Sequence, residues 1–416
     1  LQERLTRIMR SSRNCTAGIF RARNTGYLVK KLTEASFSER PSDKIGKTVA
    51  KILYGEISPY SATRLERFAA CAFAHFLQYG LKVTERAEYE FRAMDMGNVM
   101  HMALEKFAAE VRKEGLDWAE LTEEERNRII DSCLDQVSAD YGNTILKSSA
   151  RNEYMIERTR RILRRTVWAL QEQLKHGAFR PEGFEVRFQG GRIDRVDIME
   201  EPENNRVYVK VIDYKTGNTS FDLLALYHGL QLQLMVYLDG ALQVEKRKYP
   251  DREIVPAGVF YYNVKDPMIQ EKIHADMESI NEQMLKKMKM NGLVQADDNM
   301  STKIDSTMAS IPVSLNRDGS FSKRSSVASR KQFDALGAYV RRKICDIRES
   351  ILDGNAAVEP YELGKKNACT YCPYLTVCGF DRKIPGYEFH RLSSIEEDAL
   401  WKKIMKGEEE NGSEMD

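Results

Sequence analysis

The sequence predicts an α/β or α+β fold, a sheet flanked by helices, and three observations carry that reading. Apolar residues recur at helical spacing between Ser58 and about residue 176. The period changes to two between Phe184 and Asp213, across two turn signals. Beyond that point helical and strand patterns alternate.

Residues 1–57 are charged, show no sustained period, and read as an N-terminal extension or the remnant of a preceding domain. Ser61 can cap a helix in which Leu65, Phe68, Ala69, Ala72, Phe73 and Phe76 follow at helical spacing up to Gly80. A second helix is expected over 97–113, with Val99, Met100, Ala103, Leu104, Phe107 and Val111 on one face. Residues 122–176 read as two more, the second long and rich in arginine. Phe184–Phe188 then leads to Gly190-Gly191, Arg192–Met199 leads to a turn at 201–205, and Val207–Asp213 completes an antiparallel meander. A helix over Leu224–Leu242, a fourth strand over Ala257–Val264 and a helix over Met268–Met290 follow. The polar, Ser-rich stretch 292–330 reads as an insertion with one hairpin around Arg317-Asp318-Gly319. Lys331–Leu352 is the last long helix before a cluster of cysteines.

Composition narrows the function classes. A chain of 416 residues has room for a substantial core, and 42% apolar residues exclude a disordered chain. No apolar run approaches the roughly 18 residues that a membrane helix needs. With 64 basic and 62 acidic residues the net charge is +2, which argues against a simple basic nucleic-acid coat. The charge is unevenly placed: Gly386–Asp416 holds nine acids and four bases, an acidic tail of −5 behind a body of +7. The chain opens on Leu1 without a signal-peptide pattern, so cytoplasm is the expected compartment and a piece of a longer protein the expected origin.

The chemistry concentrates in Gly191-Arg-Ile-Asp194 and Val211-Ile-Asp213-Tyr214-Lys215. With the turn centred on residue 203, Asp194 falls opposite Ile212, within one residue of Asp213. Two carboxylates on adjacent strands repel unless a cation lies between them. Lys215, two residues beyond Asp213, points to the same face. An isolated Asp-x-Lys is usually a solvated surface pair; here Asp213 ends a strongly apolar strand and a Gly-rich turn precedes Asp194. Such a group can hold Mg²⁺ and lower the pKa of a bound water. His101, four residues after Gly97 on an amphipathic helix, is a further candidate ligand, although a lone helical His is more often structural. Gln233 and Tyr237 share one face of an apolar helix, and a buried Gln needs partners.

Seven cysteines are too few and too unevenly spaced for a disulfide scaffold. Cys369-x2-Cys372-x5-Cys378 supplies three thiolates for one centre, and Cys71, on an aromatic-rich helix, is the candidate fourth; zinc and an iron–sulfur cluster both fit. Cys15, Cys133 and Cys345 are bystanders. Gly46-Lys47-Thr48 imitates the end of a phosphate loop, but Pro41 stands where its first Gly belongs.

In this order the motifs resemble the RecB-like branch of the PD-(D/E)xK nucleases, and within it the C-terminal nuclease domains of the AddB family, subunits of bacterial helicase–nucleases. The match runs from about Ser58 to Lys383: Ser61-Ala-Thr-Arg-Leu-Glu66 through Cys71, Gly97-x3-His101, Gly191-Arg-Ile-Asp194, Ile212-Asp-Tyr-Lys215, Gln233-x3-Tyr237 and the cysteine triplet. The resemblance implies a PD-(D/E)xK restriction-endonuclease-like core over 58–385, a mixed sheet flanked by helices, with a helical N-terminal part and an iron–sulfur-stapled C-terminus. It implies that His101, Asp194, Asp213 and the Tyr214 carbonyl bind Mg²⁺ or Mn²⁺, that Lys215 positions the attacking water, and that Gln233 and Tyr237 support the site. It implies a [4Fe–4S] cluster on Cys71, Cys369, Cys372 and Cys378, DNA as substrate, and an AddA-like helicase–nuclease subunit as partner. Cys71-Ala72-Phe73 departs from the Cys-Pro-Phe common in the family. The alternatives are a free-standing iron–sulfur exonuclease of the CRISPR-adaptation kind and, in another class, a catalytically silent DNA-binding scaffold.

Overall fold

The computed structural model describes residues 44–55, 61–85, 93–141, 149–269, 276–384 and 386–412. The reading of residues 1–43 lies outside these. The N-terminal helices are α1 (Lys47–Tyr54), α2 (Ala62–Ala70), α3 (Ala72–His75, continued as a π turn over Phe76–Gly80), α4 (Ala93–Lys113), α5 (Glu123–Asp140) and α6 (Ala150–Lys175). The strands and helices of the middle are β1 (Arg180–Phe188), β2 (Gly191–Glu201), β3 (Arg206–Lys215), α7 (Leu223–Tyr227), α8 (Gln233–Lys248) and β4 (Glu253–Asn263). Then come α9 (Met277–Lys287), β5 (Asn291–Gln295), α10 (Met300–Ile304), β6 (Val327–Ala328) and α11 (Arg330–Leu352). The C-terminal part holds β7 (Tyr361–Leu363), β8 (Lys366–Asn367), α12 (Leu375–Cys378), β9 (His390–Arg391) and α13 (Glu397–Gly412).

The six strands β1 to β6 form one mixed sheet in sequential order. β1–β2–β3 is the expected antiparallel meander, whereas β4 runs parallel to β3 after the α7–α8 crossover. Pro256 sits in β4 where the register against β3 shifts, as a residue without a ladder donor should. Alternation along the strands sends apolar side chains to both faces. Tyr208, Ile212, Phe260 and Tyr262 pack under α4, α5 and α6. Val196, Val209, Val211 and Val259 pack under α2, α8 and α11. The result is a three-layer sandwich, with the meander's open end exposed between the helical layers.

Several elements differ from the periodicity. The helix expected over 61–80 breaks at Cys71, whose backbone is extended (φ −168°). The one expected over Leu224–Leu242 divides into α7 and α8 around Gly229, held at φ +80°. A Cβ there would lie 3.3 Å from that of Ala69, so the break is also where α2 makes its close approach. Met268 precedes α9 rather than belonging to it, and 270–275 lie outside the described residues. The segment 292–330 does carry the expected hairpin, with Leu315 bridged to Phe321, but its two ends enter the sheet as β5 and β6. Gly46-Lys47-Thr48 opens α1, whose Ala50 and Tyr54 reach the second core. In the acidic tail, β9 pairs with β7, and Leu400, Trp401 and Ile404 of α13 are buried in that same core.

Candidate active site

The β2–β3 register assembles the site. The strands close on Glu201 paired with Arg206, and Arg195 pairs with Ile212. One step further, Asp194 stands level with Asp213, not with Ile212 as a turn centred on 203 implies. The difference comes from the connection, a 3₁₀ turn over Pro202–Asn204 closed by Asn205 in the left-handed conformation. Asp194 Oδ2 accepts the Tyr214 N–H at 2.7 Å, which fixes that carboxylate across the two strands. Lys215 Nζ lies 2.6 Å from Asp213 Oδ2 and donates to Gln233 Oε1 at 2.8 Å. Gln233 Nε2 donates in turn to Asp213 Oδ1 at 3.1 Å and to the Tyr237 hydroxyl at 2.8 Å. Asp213, Lys215, Gln233 and Tyr237 therefore form one bonded group with Gln233 as its hub, and Asp194 stands beside it on the neighbouring strand.

His101 arrives from α4 on the other side. Its Nδ1 is 3.4 Å from Asp194 Oδ2, and its ring stands edge-on to Tyr214 at 6.0 Å between centroids. Gly97 lies at the close approach of α4 to this strand end: a Cβ there would come within 3.3 Å of Thr216 Oγ1, just beyond Lys215.

Two acidic residues at the site were not anticipated. Glu185, on β1, continues the register of Phe184 with Arg195 and Val186 with Ile193, and so faces Asp194. Its backbone is left-handed (φ 50°), uncommon for a Glu. Ligand atoms of His101, Glu185 and Asp194 all lie within 4.8 Å of one another. A turn at Gly190-Gly191, as the sequence suggests, would set Arg187 opposite Asp194; the hairpin turns instead at Gln189-Gly190, and that one-residue difference brings Glu185 there. Glu66 closes the matched Ser61–Glu66 segment, which assigns it no role; its carboxylate accepts the backbone N–H groups of Leu232 and Gln233, across 166 and 167 residues of sequence.

Crowding sets the electrostatics. Burial and the neighbouring Asp194 charge push the Asp213 carboxyl up to about 6 against the pull of Lys215 and His101. Burial and Asp194 likewise push Glu185 up to about 7, with Arg192 in ion contact opposing them. Burial disfavours charge on His101, yet its hydrogen bond with Asp194 and the charges of Asp194, Asp213 and Glu185 outweigh this and raise its pKa. Three carboxylates so placed are short of positive charge. Oxygen donors with one imidazole suit a hard divalent cation such as Mg²⁺ or Mn²⁺, and these residues fit one. Behind the site, Asp197 is fully buried between Arg195 Nε (2.6 Å) and Lys210 Nζ (2.9 Å), with Arg195 over the Trp118 ring. That ion triad fixes the reverse face of the two strands that carry Asp194 and Asp213.

Some distance along α2 a second set of groups converges. Cys71, Cys369, Cys372 and Cys378 line one small cavity with Phe73, Tyr374 and Phe380. The turn bonding Cys372 N–H to Cys369 O (3.2 Å) and the α12 turn bonding Cys378 N–H to Tyr374 O (2.8 Å) aim the triplet. Tyr374 donates its hydroxyl to Val83 O at 3.0 Å, and Phe73 N–H donates to Ala357 O at 3.0 Å, so the α3 region is tied here to the segment that follows α11. Burial raises the Cys71 thiol and pushes Cys369 up to about 11, and the other thiols add to both shifts. Four thiolates need a cation to coexist, and the residues fit a thiolate-bound metal group. Cys133 and Cys345 stand apart as expected, on α5 and α11; Cys15 lies outside the described residues.

The sequence pattern of the family described as the PD-(D/E)XK nuclease superfamily matches residues 59–379. The chain is similar to bacterial proteins named as the B-type subunit of an ATP-dependent helicase/deoxyribonuclease. It is 40% identical over 400 residues to that of Lachnoclostridium phytofermentans, covering 91% of this chain and 34% of the relative. It is 36% identical over 403 residues to that of Alkaliphilus metalliredigens, covering 91% and 35%. It is 35% identical over 400 residues to that of Thermoanaerobacter sp., covering 90% and 34%. The chain thus spans about a third of the length of the curated relatives it matches.

Proposed function

The chain belongs to the PD-(D/E)XK nuclease superfamily, and from that premise we propose that it hydrolyses DNA phosphodiester bonds with the help of Mg²⁺ or Mn²⁺. One observation carries the reading: Asp194 and Asp213 stand level on adjacent strands, with Lys215 on the same face held by Gln233. His101, Asp194, Asp213 and the Tyr214 carbonyl hold the cation in this reading, with Glu185 beside them. The bound cation supplies an acidified water and neutralises charge on the scissile phosphate. Lys215 donates from Nζ and steadies that water, and Gln233 keeps the Lys215 amine aimed while Tyr237 presents its hydroxyl toward the DNA backbone. Asp213, once ionised, is the ion partner of Lys215.

The relatives' names support a wider proposal: this is the nuclease portion of a helicase–nuclease component that resects double-strand breaks in the cytoplasm. It works beside an AddA-like partner and degrades the 5′-terminated strand. No helix among the described residues is long and apolar enough to cross a membrane. A [4Fe–4S] cluster on the four cysteines completes the proposal. Its support is the convergence of Cys71 and the distant triplet on one cavity, the four thiols that the family resemblance assigns to such a cluster. The test is cleavage of 5′- and 3′-labelled single strands by the chain, with EDTA and with Lys215→Ala. Metal-dependent cutting abolished by Lys215→Ala, with DNA binding retained, supports the enzyme. Unchanged cutting by that variant removes Lys215 from the mechanism, and DNA binding without any cutting favours the scaffold.

A further inference from the structure

A helix that opens at residue 233 leaves its first backbone N–H groups without intrahelical acceptors. The usual remedy is a side-chain oxygen at the N-cap. α8 has Leu232 there and no side-chain cap of its own. The acceptor comes from another helix: Glu66 Oε1, on α2, takes the Leu232 N–H at 2.7 Å and the Gln233 N–H at 2.9 Å. A carboxylate in that place also meets the positive end of the α8 dipole.

The residue so capped is the hub of the site. The Gln233 amide reaches Lys215, Asp213 and Tyr237 at 2.8–3.1 Å, and a side chain holds three such bonds only while its backbone stays fixed. α2 is itself firmly seated, with Leu65 and Phe68 in the core beside Leu232, Leu234 and Met235. At its far end Cys71 N–H bonds Arg67 O at 3.1 Å, so the helix that caps α8 also presents the first thiol. We infer that Glu66 is a positioning residue: it caps α8 from outside, fixes Gln233 and through it Lys215, and lets the thiol site and the carboxylate site share one strut. The geometry is independent of the nuclease reading; only its catalytic consequence rests on that reading. Burial pushes the Glu66 carboxyl up to about 7 against the pull of the two N–H groups and of Lys215, so the acid is kept here by the contacts it makes.

The test pairs hydrogen exchange over residues 228–238 with single-turnover cleavage of a labelled strand, using the whole chain and the variants Glu66→Ala and Glu66→Gln. The Gln side chain keeps an acceptor oxygen at the same reach. Losing a cap of ordinary strength accelerates exchange at the start of α8 by about tenfold in Glu66→Ala and leaves α6 unchanged. Cleavage slows by about ten- to a hundredfold, as misplacement of a positioned group does, at an unchanged half-saturating DNA concentration. Glu66→Gln restores protection and most of the rate. Unchanged exchange in Glu66→Ala, or a Gln variant as defective as the Ala variant, overturns the proposal. If the wild-type chain does not cut DNA while exchange responds as stated, the nuclease reading fails and the cap stands. If the wild type cuts and Glu66→Ala cuts equally well, the positioning role fails and the nuclease reading stands. Should Glu66→Ala not fold, Glu66→Asp keeps the charge but shortens the reach, and wild-type exchange and rate in it overturn the proposal.

Discussion

The carboxylate site and the thiol site are both assembled from residues far apart in sequence, yet they are built in opposite ways. At the first, the polar side chains are already bonded to one another: Lys215 to Asp213 and Gln233, Gln233 to Tyr237, Asp194 to the Tyr214 backbone. At the second, the four thiols share a cavity, and what holds them in place is backbone turns and the Tyr374 tie to Val83. A site on paired strands inherits its geometry from the ladder and is organised before any cation binds. A site on turns from two segments far apart in sequence is held by folding and, when loaded, holds the fold in return. The first is therefore expected to fail chemically when altered, and the second structurally.

The sharpest break of that contrast is Asp194→Asn. It keeps the size of the side chain and removes a charge shared by the cation, His101 and the Tyr214 N–H, so cleavage falls by about a thousandfold or more while the fold is retained. Single-turnover rates and circular dichroism decide; a folded variant that cuts within tenfold of wild type removes Asp194 from the mechanism. Cys372→Ser is next and lies on the other side of the comparison. Iron and colour are lost, and the melting temperature drops by about 5 °C or more as the folded state loses its ligand. A colourless, zinc-containing wild type refutes the cluster, and an unshifted melting curve refutes the structural role.

Glu185→Gln tests whether the unanticipated acid belongs to the cation site. Mn²⁺ affinity, followed by electron paramagnetic resonance, is expected to weaken by about tenfold, with the thiol site unaffected. An unchanged affinity leaves Glu185 as a partner of Arg192 alone. The smallest effect concerns stability. The folded pKa of Asp213 lies above that of an unfolded Asp, so protonation favours the fold. Its contribution is fully present below the unfolded value near 4 and is lost as pH rises through about 6. In EDTA at pH 8, Asp213→Asn is accordingly expected to be more stable than wild type by on the order of 1 kcal/mol. At pH 4 the gain disappears, and at every pH cleavage is lost. Urea titrations at the two pH values settle the sign.

Legibility followed the length scale of each interaction. The meander could be read because alternation and turn residues are local, and His101, Asp194, Asp213, Lys215, Gln233 and Tyr237 could be named from motif spacing. The register was one residue out, because the conformation of Asn205 decides it. Glu185 was missed for a similar reason, since the first hairpin turns at Gln189-Gly190 and not at Gly190-Gly191. The helix over 224–242 was misread because an apolar run cannot reveal that Gly229 is held open by the approach of Ala69.

Periodicity carries the layering of helices on a sheet, turn signals carry the hairpin that joins Asp194 to Asp213 across 19 residues, and the cysteine triplet lies within ten residues of chain. Long-range packing extends the sheet with the ends of 292–330, returns α13 to the core, and brings Cys71 to the distant triplet. It also decided that α8 is capped by Glu66, because a backbone N–H is satisfied by whatever oxygen the packing brings to it, at any distance along the chain.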